Sequence, residues 1–196
     1  MPSDAHDSRR RAPDPREAPR ARIRRLVDLS LLTAASLVLF VFESVIPAPL
    51  PWVRLGLANV VTVSVLFLYG VRAAFLVTIL RVLLGSLLVG TFLAPAFFLS
   101  LAGGLAAATL MAIARRVASP PLGIVGISTL GAVAHNAGQL AVLSLLFLRG
   151  ADALRLLPYL TLSATLLGVF TGIAARALTS YLASRGEILH TETETS

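Results

Sequence analysis

LGIVGISTLGAVAHNAGQLAVLSLLFL, residues 122–148, is a 27-residue run without Asp, Glu, Lys or Arg. As a helix it can span a bilayer, because about 20 residues at ~1.5 Å each cover the ~30 Å hydrocarbon core. Its middle, Gly131-Ala132-Val133-Ala134-His135-Asn136-Ala137-Gly138-Gln139, puts three strong hydrogen-bonding side chains at mid-span. Such groups are costly against lipid, so they are expected to face protein or a cavity. His135 and Gln139, four apart, share a helix face, and Asn136 lies about 100° round from His135. The small residues around them let another helix or a ligand come close. The rest of the chain is expected to form the bundle that encloses this polar spot.

Composition agrees with a membrane location. Of the 196 residues 56% are hydrophobic and only 14% charged, against about 25% charged in soluble domains, and the mean hydropathy is +0.83. Without cysteine, no disulfide, thiolate metal site or iron–sulfur cluster can form. All 17 basic residues are arginine, which excludes a P-loop and lysine Schiff-base chemistry. No cofactor is implied. The net charge of +7 reads as membrane orientation rather than as a nucleic-acid surface, because of where the arginines stand.

Residues 1–25 hold eight arginines, four acids and four prolines with almost no bulky apolar residue, and are expected to be a disordered cytoplasmic segment. A six-helix membrane domain is expected over 26–184, and a flexible cytoplasmic tail over 185–196. The six apolar segments are Leu29–Ile46, Leu55–Tyr69, Ala73–Leu93, Pro95–Ala114, Leu122–Leu148 and Pro158–Leu182. The second is short for a span. A loop from Pro47 to Arg54 carries Trp52 at headgroup depth, and an outer loop runs from Arg149 to Leu157. With the N-terminus in the cytoplasm, Arg72, Arg115, Arg116 and Arg185 fall on the same side, while Arg54, Arg149 and Arg155 fall outside. The positive-inside rule therefore supports a multi-pass protein of the cell membrane with both termini cytoplasmic.

Arg81 is the most expensive residue of the chain. It lies roughly 13 Å beyond Arg72 at ~1.5 Å per residue, where an arginine costs at least ~2.5 kcal/mol unless paired or hydrated. It can pair with Glu43 near the outer end of the first helix, or face an outward-open cavity and hold an anionic group; the two readings can coexist. His135, Asn136 and Gln139 can line a site or serve as interhelical glue worth ~0.6 kcal/mol per contact. Ala102-Gly103-Gly104, with Ala106 to Ala108, has the small-xxx-small spacing of a close-packed seam. Prenyl diphosphate chemistry needs paired aspartates for Mg²⁺. Beyond the arginine-rich start the chain has only Asp28 and Asp152, far apart, so a self-sufficient enzyme is not expected.

Several strings stand together in order: Glu43-Ser44-Val45-Ile46-Pro47, Val53-Arg54-Leu55-Gly56-Leu57-Ala58-Asn59, Leu80-Arg81-Val82-Leu83-Leu84-Gly85, Ser100-Leu101-Ala102-Gly103-Gly104 and Gly131 to Gln139. Over about residues 26–180 the chain resembles the family known both as Gx transporter and as heptaprenyl diphosphate synthase component I. That family is similar to the substrate-binding S components of energy-coupling-factor transporters. The resemblance implies an all-α, six-transmembrane-helix bundle that binds a small organic molecule, such as a vitamin or cofactor precursor. Its implied partners are a transmembrane coupling subunit and ATPases, with no nucleic acid. The family's second name implies the alternative of a noncatalytic subunit of a polyprenyl diphosphate synthase. A further alternative is a membrane assembly partner of a redox complex. The expected site is one cavity open to the outside, lined by Glu43, Arg54, Asn59, Arg81, His135, Asn136 and Gln139. There Arg81 binds a carboxylate or phosphate, and His135, Asn136 and Gln139 orient the ligand.

Overall fold

The computed structural model of the protein describes residues 17–45, 56–118, 122–146 and 150–194. The described residues form an all-α membrane bundle: α1 Glu17–Val45, α2 Leu57–Tyr69, α3 Val71–Val89, α4 Pro95–Val117, α5 Gly123–Leu146 and α6 Gly150–Glu194. Five of these helices are long and apolar enough to cross a membrane, through Arg22–Val45, Val71–Val89, Pro95–Val117, Gly123–Leu146 and Leu157–Arg185. The remaining one, α2, has 13 residues, about 20 Å at ~1.5 Å each, well under the hydrocarbon thickness.

That short helix lies at the centre. Every residue from Ala58 to Leu66 is buried, as expected of a helix apolar all round that has neighbours on every side. Helix α1 packs on α2 and α3, α3 on α4, α4 on α5, and α5 on α6, while α6 returns to α2. The tight turn between α2 and α3 needs Gly70, whose φ of 90° is unfavourable for residues with a Cβ. Outward, Val38, Leu76, Leu87, Leu145, Leu162 and Leu166 are exposed and form part of the lipid-facing surface.

The helices alternate in direction, so Arg25, Arg72, Arg115, Arg116 and Arg176 all stand toward one end of the bundle. Two of them terminate α2 there. Arg115 donates to the carbonyls of Leu66 and of Phe67, the latter at 3.3 Å, and its guanidinium lies 5.1 Å from the Phe67 ring centre. Arg25 donates to the Tyr69 carbonyl at 3.1 Å, and the Tyr69 hydroxyl donates to Asp28 at 3.1 Å. Arginines at the last carbonyls of a helix satisfy orphan acceptors and oppose the negative end of its dipole.

Three boundaries differ from those read in the sequence. Helix α1 begins at Glu17, ahead of the expected boundary at 25. Its alanines and arginines are strong helix formers, and Pro19 falls in the first turn, where no donor is lost. Helix α6 begins at Gly150 rather than Pro158 and carries Pro158 inside it, because Ala151, Ala153, Leu154 and Leu156 favour helix. It also continues to Glu194, through the stretch expected to be a tail. The loop with Trp52 and Arg54, and the first 16 residues, lie outside the described residues.

Candidate functional site

A cavity opens in the half of the bundle away from the arginine-rich end. All six helices line it. Helix α1 contributes Phe40 and Glu43, and the start of α2 contributes Asn59 together with the preceding Gly56. Helix α3 contributes Arg81 and Val82, and α4 contributes Ser100. Ala132, His135 and Asn136, at helical spacing i, i+3, i+4, come from α5; Ser163, Ala164, Leu167 and Thr171 come from α6. The expected residues Glu43, Asn59, Arg81, His135 and Asn136 therefore share one cavity.

Close packing of backbone and rings seats these side chains. A Cβ at Gly85 would clash with the Phe40 ring, so α1 and α3 meet with that ring over a glycine. A Cβ at Gly104 would lie 3.8 Å from Nη2 of Arg81; α4 thus borders the guanidinium without a side chain of its own. At Gly103 a Cβ would come within 2.9 Å of both the His135 ring and Cγ of Gln139. Gly103 is the notch that receives the polar face of α5.

Glu43 is 8% exposed and Arg81 4%. The Glu43 carboxylate accepts the N–H of Leu57, the first residue of α2. Gly56, which precedes that helix with φ 75°, has no side chain to cap it, so α1 supplies the cap. A carboxylate at a helix N-terminus is favoured by the orphan N–H groups and the dipole. Asn59 and Arg81 stand equally far before and after the Gly70 turn, which puts them at one level of the antiparallel pair α2/α3. Asn136 is partly committed: its Nδ2 donates to the Leu160 carbonyl of α6 at 2.9 Å. Asn59 is 6% exposed, and its Oδ1 accepts no hydrogen bond among the described residues.

Two expected site residues are not among the described residues of the cavity wall. Gln139 is buried in the α4–α5 seam beside His135 and is not part of the cavity wall. Arg54 lies outside the described residues. Conversely, Phe40, Ser100, Ser163 and Thr171 line the cavity without standing out as site residues in the sequence. The signal for α6 was the spacing of Ser163, Leu167 and Thr171, one face at i, i+4, i+8. Thr171 is held in place by a 3.0 Å hydrogen bond with Ser128.

The profile of the family described as Heptaprenyl diphosphate synthase component I matches residues 32–178, a stretch that contains every residue of the cavity wall. The chain belongs to the heptaprenyl diphosphate synthase component I family. Comparison with curated proteins and with solved structures found no match. For this family member, the arrangement offers a buried cation, a buried carboxylate and neutral hydrogen-bonding groups around apolar walls. Chemically, such a set can hydrogen-bond and orient a small polar molecule. Among the described residues, no group of three or more His, Asp or Glu side chains comes together to hold a metal.

Proposed function

We propose that this protein is a membrane subunit that binds a small organic molecule, such as a vitamin or cofactor precursor, for uptake across the cell membrane. The observation that supports this most is a cavity with two almost fully buried ionisable side chains, Glu43 and Arg81, inside an apolar bundle. Burying such groups in a membrane protein is costly and is ordinarily kept where a ligand or ion uses them. Arg81 takes a carboxylate or phosphate of the ligand through charge-assisted hydrogen bonds. His135 and Asn136 orient the rest of it, and Gln139 steadies His135 from the α4–α5 seam. The protein sits with both termini in the cytoplasm, following its arginines, so that the cavity faces outward. Energy comes from partners, a transmembrane coupling subunit and ATPases. A reporter fused after Ser196 is expected to be active only in its cytoplasmic form.

Binding is tested by mass spectrometry of the small molecules that the detergent-purified chain retains. Arg81→Gln and His135→Ala variants that insert and fold are expected to retain roughly ten- to a hundredfold less, the effect of losing ~1.5–3 kcal/mol of charge-assisted hydrogen bonding. Retention equal to wild type in both variants would place the ligand elsewhere.

The family's description favours a second reading, a noncatalytic membrane subunit of a heptaprenyl diphosphate synthase. Asp28 lies near the middle of α1, at the level of the end of α2, and Asp152 in the first turn of α6, toward the opposite end of the bundle, so the paired aspartates of that chemistry would have to come from a partner. Purification in mild detergent separates the two readings: ATPases among the recovered proteins support uptake, and an aspartate-rich prenyl synthase supports the second.

A further inference from the structure

Five helices stand round α2, and the ring they form is open at one place. Helix α1 packs on α3, α3 on α4, α4 on α5 and α5 on α6, but among the described residues α6 and α1 do not pack on each other. Packed helices have axes about 8–10 Å apart, so α1 and α6 leave a seam between them. Helix α2 closes that seam from inside. Ser36 of α1 donates to the Ala58 carbonyl at 3.4 Å, and Ser64 donates to the Ala175 carbonyl of α6 at 3.3 Å. The closure stops short of the cavity end. At ~1.5 Å per residue α2 covers about 20 Å of a ~30 Å hydrocarbon layer, and Arg25 and Arg115 hold its C-terminus at the arginine-rich end. The shortfall of about 10 Å therefore lies beyond its N-terminus, where burial gives way from Ala58 to the half-buried Leu57 and Gly56.

The cavity lies at that level of the seam. Phe40 and Glu43 line it from α1, and Ser163, Ala164 and Leu167 line it from α6. One residue before Glu43 and one before Leu167, about 100° round each helix toward the seam, Phe42 and Leu166 are exposed. A polar interior is thus bordered by apolar edges within the membrane-spanning stretches of α1 and α6. The seam is the same whichever groups Glu43 and Arg81 contact. Apolar groups stay out of water, so the hydrocarbon part of an amphipathic molecule can remain in lipid while its head enters the cavity. A wholly polar molecule gains nothing from such edges.

We infer that the cavity opens sideways, between α1 and α6, into the lipid leaflet on its side, and that its ligand is amphipathic, with a hydrogen-bonding head in the cavity and a hydrocarbon portion in the seam. This rests on the proposed binding function and narrows it to one substrate class. The chain has one tryptophan, Trp52, so a Trp52→Phe background leaves room for a single reporter. Leu167→Trp puts it in the cavity wall, and Leu166→Trp puts it on the exposed edge. Both full-length variants are reconstituted in phosphatidylcholine vesicles with brominated acyl chains, which quench tryptophan on contact. Leu167→Trp is expected to be quenched nearly as much as Leu166→Trp, and only weakly by iodide on either side of the membrane. Quenching of Leu167→Trp by iodide alone, or by neither agent, overturns the inference and leaves the binding function standing. The ligand's class is read by mass spectrometry of molecules released on denaturing the detergent-purified wild type, and a molecule with a polar head and a hydrocarbon portion is expected. Ser163→Phe narrows the seam and should release much less of it. Equal release from both chains identifies adhering lipid or detergent and overturns the inference; if Ser163→Phe does not fold, the quenching comparison decides. A released molecule without a hydrocarbon portion overturns the inference alone. A wild-type chain that releases no small molecule overturns the binding function as well.

Discussion

Arg115 and Arg116 are neighbours with the same charge, yet the bundle uses them differently. Arg115 reaches the carbonyls of Leu66 and Phe67 and lies over the Phe67 ring, while Arg116 is exposed. Arg115→Gln is expected to destabilise the protein by about 1–3 kcal/mol, the scale of hydrogen bonds to a charged group whose loss leaves orphan acceptors. Arg116→Gln should change stability by less than about 0.5 kcal/mol, as surface substitutions usually do. Thermal unfolding of the two variants in one detergent compares them directly. At this scale the sequence shows that a residue is costly more readily than what it contacts. Arg81 and Glu43 stand out because charges are scarce in the apolar segments, and both reach the cavity. The cap that Glu43 places on α2, and the one Arg115 places at its other end, join residues far apart in the chain. Neither spacing nor composition announces them.

Helices were legible from apolar runs and from the glycines and prolines between them, but their ends and contacts were less so. Length along a run says that α5 can span; it does not say that α6 continues through Pro158 to Glu194, since helix propensity outside the apolar part decides that. The small residues Ala102, Gly103 and Gly104 read as a seam, and Gly103 does border α5. The same spacing at Gly168 and Gly172 marks the α5–α6 contact. A Cβ at Gly168 would lie 2.7 Å from the Thr129 Cα, and one at Gly172 would lie 2.8 Å from the Val125 Cα. With backbone on the far side, neither clash is relieved by turning a side chain. Gly172→Ala is therefore expected to push α5 and α6 apart and to cost about 1–3 kcal/mol, the range for overpacking. Reversible unfolding in mixed micelles provides the measurement. Equal stability of Gly172→Ala and wild type would show that the two helices slide past each other freely.

The order of the helices around α2 was the part of the architecture least readable from the sequence, because a 13-residue apolar segment looks alike at the centre and at the edge of a bundle. Its central position affects the cavity, which lies where α2 begins. It also affects how the protein comes to be made. A nascent segment normally enters the bilayer by partitioning its own side chains into lipid, and this one is too short to span and has hardly any face left for lipid. Its walls arrive late: α3 follows it directly, but α6 is the last of these six helices to leave the ribosome. Until then the segment lacks α6, one of its three main neighbours, and has no stable residence. Chains stopped after Val89 should leave residues 57–69 open to added protease in microsomal or vesicle translation, and complete chains should protect them. The cavity would then stay open on one side until α6, which supplies Ser163, Leu167 and Thr171 to its wall, has been made.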